Sequence, residues 1–106
     1  MARKIEIAGK QVEFNEDGFM LRPELWDDDV ARAIAREDGI DEMGEKHWVI
    51  VRFIRKYWEE HDLAPPVWVL CKVGGVTVRQ VFKLFPLGPA RGACRIAGLP
   101  KPDGCV

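Results

Sequence analysis

The sequence predicts an α+β fold that is mostly α: a small helical bundle with an N-terminal β-hairpin and a flexible C-terminal arm. Three observations predict it. Apolar and polar residues alternate only near the N-terminus, around Ala8-Gly9-Lys10. From about residue 28 the apolar residues recur at three- and four-residue spacing, in segments separated by caps, glycines and prolines. The last eight residues hold two prolines and a glycine and can continue neither kind of element.

Ile5, Ile7, Val12 and Phe14 alternate with polar residues and give the hairpin one apolar face. Asn15-Glu16-Asp17-Gly18 reads as a turn, after which Phe19 and Leu21 are expected to extend the sheet. Pro23 to Trp26 is a connecting turn. Asp27 or Asp28 caps a helix that buries Val30, Ile34 and its alanines and stops at Gly39. The longest periodic segment, from about Gly44 to Asp62, carries Ile50, Val51, Ile54, Tyr57 and Trp58, widened by Trp48 and Phe53. So broad a stripe marks the central helix of the core. Pro65-Pro66 restarts the chain, and a short helix from Val67 to Lys72 ends at Gly74-Gly75. Thr77 caps the next, with Val78, Val81, Phe82 and Phe85 as its core face, and Pro86 ends it. Gly88-Pro89 opens a final helix in which Ala90, Ala93, Cys94 and Ala97 share a face of small side chains, closed by Gly98. Two regions follow: a helical domain with its hairpin over 1–98, and a mobile arm over 99–106.

At 106 residues, with four Trp and five Phe, the chain is one domain with enough bulk to fold without staples. It has no stretch of signal-peptide length and no run approaching the roughly 18 apolar residues of a membrane span. A cytoplasmic location is expected, with Cys71, Cys94 and Cys105 starting as thiols. The formal net charge is only −1, but it is unevenly spread. From residue 63 onward there are six basic residues (Lys72, Arg79, Lys83, Arg91, Arg95, Lys101) and one acid, Asp103. The first 62 residues hold the other sixteen acids against ten bases. A basic C-terminal half suits an anionic substrate or an acidic protein surface.

Cys105 stands one residue from the C-terminus, where a side chain cannot gain the burial that usually explains a cysteine. A thiol carried there is expected to react. Cys94 lies on the final helix, ten intervening residues upstream. An extended arm would carry Cys105 about 30 Å from its root, at roughly 3.3–3.6 Å per residue; folded back at its prolines and glycine, it would bring the two sulfurs together. Lys101, Arg95 and Arg91 supply positive charge that favours the thiolate and attracts sulfur oxyanions, while Asp103 and the terminal carboxylate oppose it. Cys71, in Val67-Trp68-Val69-Leu70-Cys71, reads as a small hydrophobic residue of the interior.

Phe85-Pro86-Leu87-Gly88-Pro89-Ala90, then Ala93-Cys94-Arg95-Ile96-Ala97-Gly98-Leu99-Pro100-Lys101-Pro102 and the ending Gly104-Cys105-Val106, closely resemble the DsrC family, the gamma subunit of dissimilatory sulfite reductase. Gly9-Lys10, Glu45-Lys46-His47-Trp48 and Leu63-Ala64-Pro65 extend the resemblance over the whole chain. Relatives similar to the TusE proteins of tRNA thiolation keep only the penultimate cysteine; this chain has both. The resemblance implies a sulfur carrier, a co-substrate and not an enzyme with its own turnover. Cys105 would take sulfur reduced from sulfite, and Cys94 would join it in a protein trisulfide. The implied partners are the alpha and beta subunits of the reductase and a membrane-bound electron-transfer complex that reduces the trisulfide. In sulfur oxidisers a persulfide on Cys105 would be delivered the other way. No cofactor of its own is implied; siroheme and iron–sulfur clusters belong to the partner. Asp103 departs from the small hydroxylated residue expected there, and the segment between Cys71 and Phe85 is shorter than in some members.

The residues leave two further readings. The short helices flanking Gly74-Gly75 resemble a helix-turn-helix with Arg79 and Lys83 on its second helix, which would bind DNA. A non-catalytic structural subunit is the other. His47 and His61 have no cysteine at zinc-finger spacing, so no metal is expected; His47 is read as packing or hydrogen-bonding near its helix start.

Overall fold

The computed structural model describes residues 3–100. Strands β1 (Arg3–Ile7) and β2 (Lys10–Phe14) pair antiparallel, with Ile5 opposite Val12 and Ile7 opposite Lys10. Their two-residue connection has positive φ at both positions, 49° at Ala8 and 82° at Gly9, the turn whose twist matches the strands it joins. Ile7, Val12 and Phe14 go to the interior. Among the described residues the sheet has two strands, with a single bridge from Phe14 to Met20 in place of the expected extension. Phe19 and Met20 are both buried and Leu21 is exposed, so alternation fails where a pleated strand would need it. Asn15 turns the chain instead, its Oδ1 accepting from the amides of Asp17 (2.9 Å) and Phe19 (3.0 Å).

After a 3₁₀ turn over Pro23–Leu25, helix α1 (Asp28–Glu37) starts at Asp27, whose carboxylate accepts from the amide of Val30 at 3.0 Å. Lys10 holds the same carboxylate and donates to the carbonyl of Leu25 at 3.0 Å, fastening the hairpin to this helix start. Helix α2 (Glu45–His61) buries Ile50, Val51 and Ile54 as the sequence predicts. His47 caps it, accepting from the Gly44 amide at Nδ1 (3.0 Å); that leaves Nε2–H to donate to the carbonyl of Leu84 (2.8 Å). Helices α3 (Val67–Gly74) and α4 (Val78–Leu84) meet at a corner made by Gly75, at φ 63°, and by Thr77 and Gln80 capping each other. Along α4 the buried stripe is narrower than expected. Val81 and Phe85 are buried, but Val78 and Phe82 are about half exposed, because no element among the described residues covers the outer side of α4.

The last helical segment, α5 (Pro89–Cys94), is wound as a π-helix and runs on through Arg95 and Ile96 in α form. The expected single face of Ala90, Ala93, Cys94 and Ala97 is therefore not what the chain presents. Every residue from Gly92 to Leu99 is buried. A segment apolar all round belongs inside, and this one packs against α2 within the core cluster that also holds the fully buried Phe14, Phe19, Phe85, Ile54 and Leu70. Each such side chain contributes about 1.5–3 kcal/mol by leaving water. Small residues let the segment in: a Cβ on Gly92 would stand 3.1 Å from Cβ of Phe85. Among the described residues no helix is long and apolar enough to cross a membrane.

Candidate functional site

Cys94 ends the π-wound segment, wholly buried. The chain then reverses. Gly98, at φ 78°, follows the last helical turn; its amide donates to the carbonyl of Arg95 at 3.0 Å, and the amide of Leu99 reaches the carbonyl of Cys94 itself at 3.2 Å. This is the Schellman pattern of hydrogen bonds, which closes a helix and turns its exit back over the final turn. Leu99, expected in the arm, is fully buried, and its amide pins the arm's root to the backbone of Cys94. From there six residues lead to Cys105, a reach of about 20 Å at most.

Two side chains that the sequence did not single out hold this exit. The carbonyls ending a helix lack partners within it. Trp26 Nε1–H donates to the Ile96 carbonyl at 2.7 Å, and Arg55 reaches the Ala97 and Gly98 carbonyls at 3.4 Å each while donating to the Pro23 carbonyl at 2.9 Å. The Arg55 guanidinium lies over the rings of Trp26 (4.9 Å) and Trp58 (5.0 Å), with Glu59 on Nε at 3.0 Å. A cation at a helix C-terminus also opposes the negative end of the helix dipole. Gly98 is what lets Trp26 fit: a Cβ there would fall 2.3 Å from Cδ1 of the indole. An arginine inside the broad apolar stripe of α2 was the available signal for Arg55.

Arg95 has a task away from the thiol. It is buried, with Nε donating to the carbonyl of Gly18 (3.0 Å) and one terminal nitrogen to Asp38 Oδ1 (2.9 Å) and the carbonyl of Arg91 (3.1 Å); the other lies 3.7 Å from Glu37. Its charge is taken up by two carboxylates, and it braces the last helix against the turn after β2 and the end of α1. Burial pushes the Asp38 carboxyl above its usual range, opposed by the hydrogen bond and charge of Arg95. Its Oδ2 is buried without a hydrogen-bond partner among the described residues. Arg91 is exposed beside Cys94 and has no ion pair among them. Cys105 and Lys101 lie outside the described residues. Cys71 is a half-buried free thiol on α3.

Comparison with known proteins agrees with this geometry. Residues 6–106 match the family model described as DsrC like protein. The chain is 39% identical over 103 residues to the dissimilatory-type sulfite reductase subunit gamma of Nitratidesulfovibrio vulgaris, covering 97% of this chain and 98% of that one. It is 36% identical over 109 residues to the sulfurtransferase TusE homolog of Haemophilus influenzae, covering 96% and 99%. Its fold matches the crystal structure of the oxidized gamma-subunit of the dissimilatory sulfite reductase (DsrC) from Archaeoglobus fulgidus, with a TM-score of 0.89 and 43% identity over 98% of this chain and 100% of that one. With both cysteines, the buried segment that carries Cys94 and a family match over nearly its whole length, the chain belongs to the DsrC family.

Proposed function

We propose that the chain is a sulfur carrier and co-substrate for a dissimilatory sulfite reductase, working in the cytoplasm through Cys105 and Cys94. The observation that carries this reading is the reversal at Gly98, which ties the arm's root to the backbone of Cys94. Two thiols joined by so short a tether react with each other as an intramolecular pair. Relatives named as a sulfite reductase subunit and as a sulfurtransferase support the same chemistry.

In this mechanism the Cys105 thiolate collects sulfur in the reductase and Cys94 then closes on it. The sum is sulfite plus two thiols, two electrons and four protons giving one trisulfide and three waters. The sulfite sulfur is reduced by four electrons, two from the reductase's donor and two from the thiols. Reduction of the trisulfide by four electrons and four protons, through a membrane-bound electron-transfer complex, releases hydrogen sulfide and restores both thiols. The carrier supplies nucleophile, resolving thiol and tether, the parts that thiol–sulfur exchange needs; siroheme and iron–sulfur clusters belong to the alpha and beta subunits of the reductase. In a sulfur oxidiser the same thiols run the exchange in reverse.

The test is to incubate the reduced protein with sulfite, its cognate reductase and an electron donor, then measure intact and peptide masses. One sulfur bridging Cys94 and Cys105 is expected in the parent, none on Cys105→Ser, and an unbridged adduct at Cys105 on Cys94→Ser. A parent that emerges unmodified while sulfite is consumed normally would leave the chain a structural subunit.

A further inference from the structure

Helix α4 and the turn after it expose Val78 (48%), Phe82 (50%) and Leu87 (53%). Val78 and Phe82 are four residues apart and so share a side of the helix. The Phe82 ring is propped in place, since a Cβ on Gly88 would lie 2.9 Å from its edge. Arg79 and Lys83 flank these side chains on α4, and Arg91 follows on α5, all three exposed. Between residues 63 and 100 the sequence has no Asp or Glu at all. Of the five basic residues in that stretch, only Arg95 has a carboxylate partner among the described residues. The chain thus gathers cations around an apolar centre and, among the described residues, pairs none of its own acids with them.

We propose that Val78, Phe82 and Leu87, ringed by Arg79, Lys83 and Arg91, form the face that docks on an acidic protein surface with an apolar recess, borne by the protein that exchanges sulfur with Cys105. The proposal rests on the carrier reading and adds the face by which the carrier is recognised. An aromatic anchor, aliphatic neighbours and arginines at the margin are what the centre and rim of a protein–protein contact consist of, and unpaired cations speed encounter with an acidic partner. The face is continuous in sequence, through Gly88, with the segment that carries Cys94. DNA fits less well. If α4 were a recognition helix, hydrocarbon side chains at Val78 and Phe82 would occupy positions where base edges call for polar groups, and α4 has only seven residues.

The experiment measures association of the full-length chain with its sulfite reductase by biolayer interferometry, from low to high salt. The variants are Arg79→Glu/Lys83→Glu, Phe82→Ala and a control reversal on other elements, Arg36→Glu/Lys56→Glu, each checked by circular dichroism. Arg79→Glu/Lys83→Glu is expected to slow association and weaken binding about tenfold or more, and to flatten its salt dependence. Phe82→Ala is expected to raise the dissociation rate by a similar factor, with the control unchanged. Equal binding by parent and Arg79→Glu/Lys83→Glu would overturn the proposal. So would a loss confined to duplex DNA or to phosphatidylglycerol vesicles, or to self-association of the chain. Sulfur loading of Cys105 separates the two readings. Normal loading of the charge-reversed protein sinks the docking face and leaves the carrier. Loss of docking in the variants, with no sulfur ever found on the parent, keeps the face and sinks the carrier.

Discussion

Replacing Gly98 by alanine tests whether the helix exit is the structural device described above. Two costs add. The backbone there has φ 78°, and an L-residue held in that region loses about 1–2 kcal/mol. The new methyl would also meet Trp26, 2.3 Å from Cδ1 and 2.6 Å from Cγ, well inside contact distance. The indole must move, giving up its 2.7 Å hydrogen bond and leaving the buried Ile96 carbonyl unsatisfied, which costs about 1–3 kcal/mol. The sum is about 2–5 kcal/mol. Gly39→Ala is the matched control: its φ is 89°, but nothing lies within 4 Å of the added carbon, so only the backbone cost of about 1–2 kcal/mol applies. Urea unfolding followed by tryptophan fluorescence gives both values, provided the slopes agree. Titration against glutathione then reads the chemistry. If the reversal sets the approach of Cys105 to Cys94, the effective concentration of the pair falls about tenfold or more in Gly98→Ala, a change equal to 1.4 kcal/mol, and stays put in Gly39→Ala. Equal destabilisation by the two substitutions would refute the role given to Trp26, and an unchanged thiol equilibrium would refute the role given to the turn.

Arg95→Met leaves the Asp38 carboxylate buried and unpaired, and is expected to cost about 3–5 kcal/mol at pH 7. The Asp38 pKa is already raised in the folded protein, so its ionisation weakens the fold as pH rises through that value and protonation on acidification strengthens it; part of the Arg95→Met deficit should therefore return below that pKa, and adding Asp38→Asn should restore much of it at pH 7. Arg55→Lys keeps the charge but loses the planar fork that spans Pro23, Ala97 and Gly98, with an expected loss of about 1–2 kcal/mol, read as a fall in melting temperature of about 5–10 °C. Ala8→Gly relieves a left-handed backbone at the hairpin turn and is expected to raise stability by up to about 1 kcal/mol, which the urea midpoint measures.

The parts of this fold that the sequence displays are those fixed by near neighbours. Asp27 and Thr77 announce helix starts because their side chains cap amides three residues on, and the stripe of α2 repeats because one side of it meets the core. The π-winding of α5 was not legible, since small apolar residues at nearly every position leave periodicity nothing to mark. The exposure of Phe82 was hidden for a related reason. Spacing reveals that side chains share a side of a helix, but not whether anything covers it. Trp26 and Arg55 contact residues 70 and 42 positions away, and no local pattern encodes such a meeting. Cys94 was placed by the sequence on the last helical segment, where it lies; Cys105 lies outside the described residues.

The burial of Gly92–Leu99 also governs what local opening can do to the fold. This segment cannot detach without exposing Cys94, Ile96 and Leu99, all fully buried, together with the side of α2 packed against it. Loosening it therefore costs nearly as much as unfolding the domain, and its amides should exchange with solvent only about as fast as the whole molecule opens.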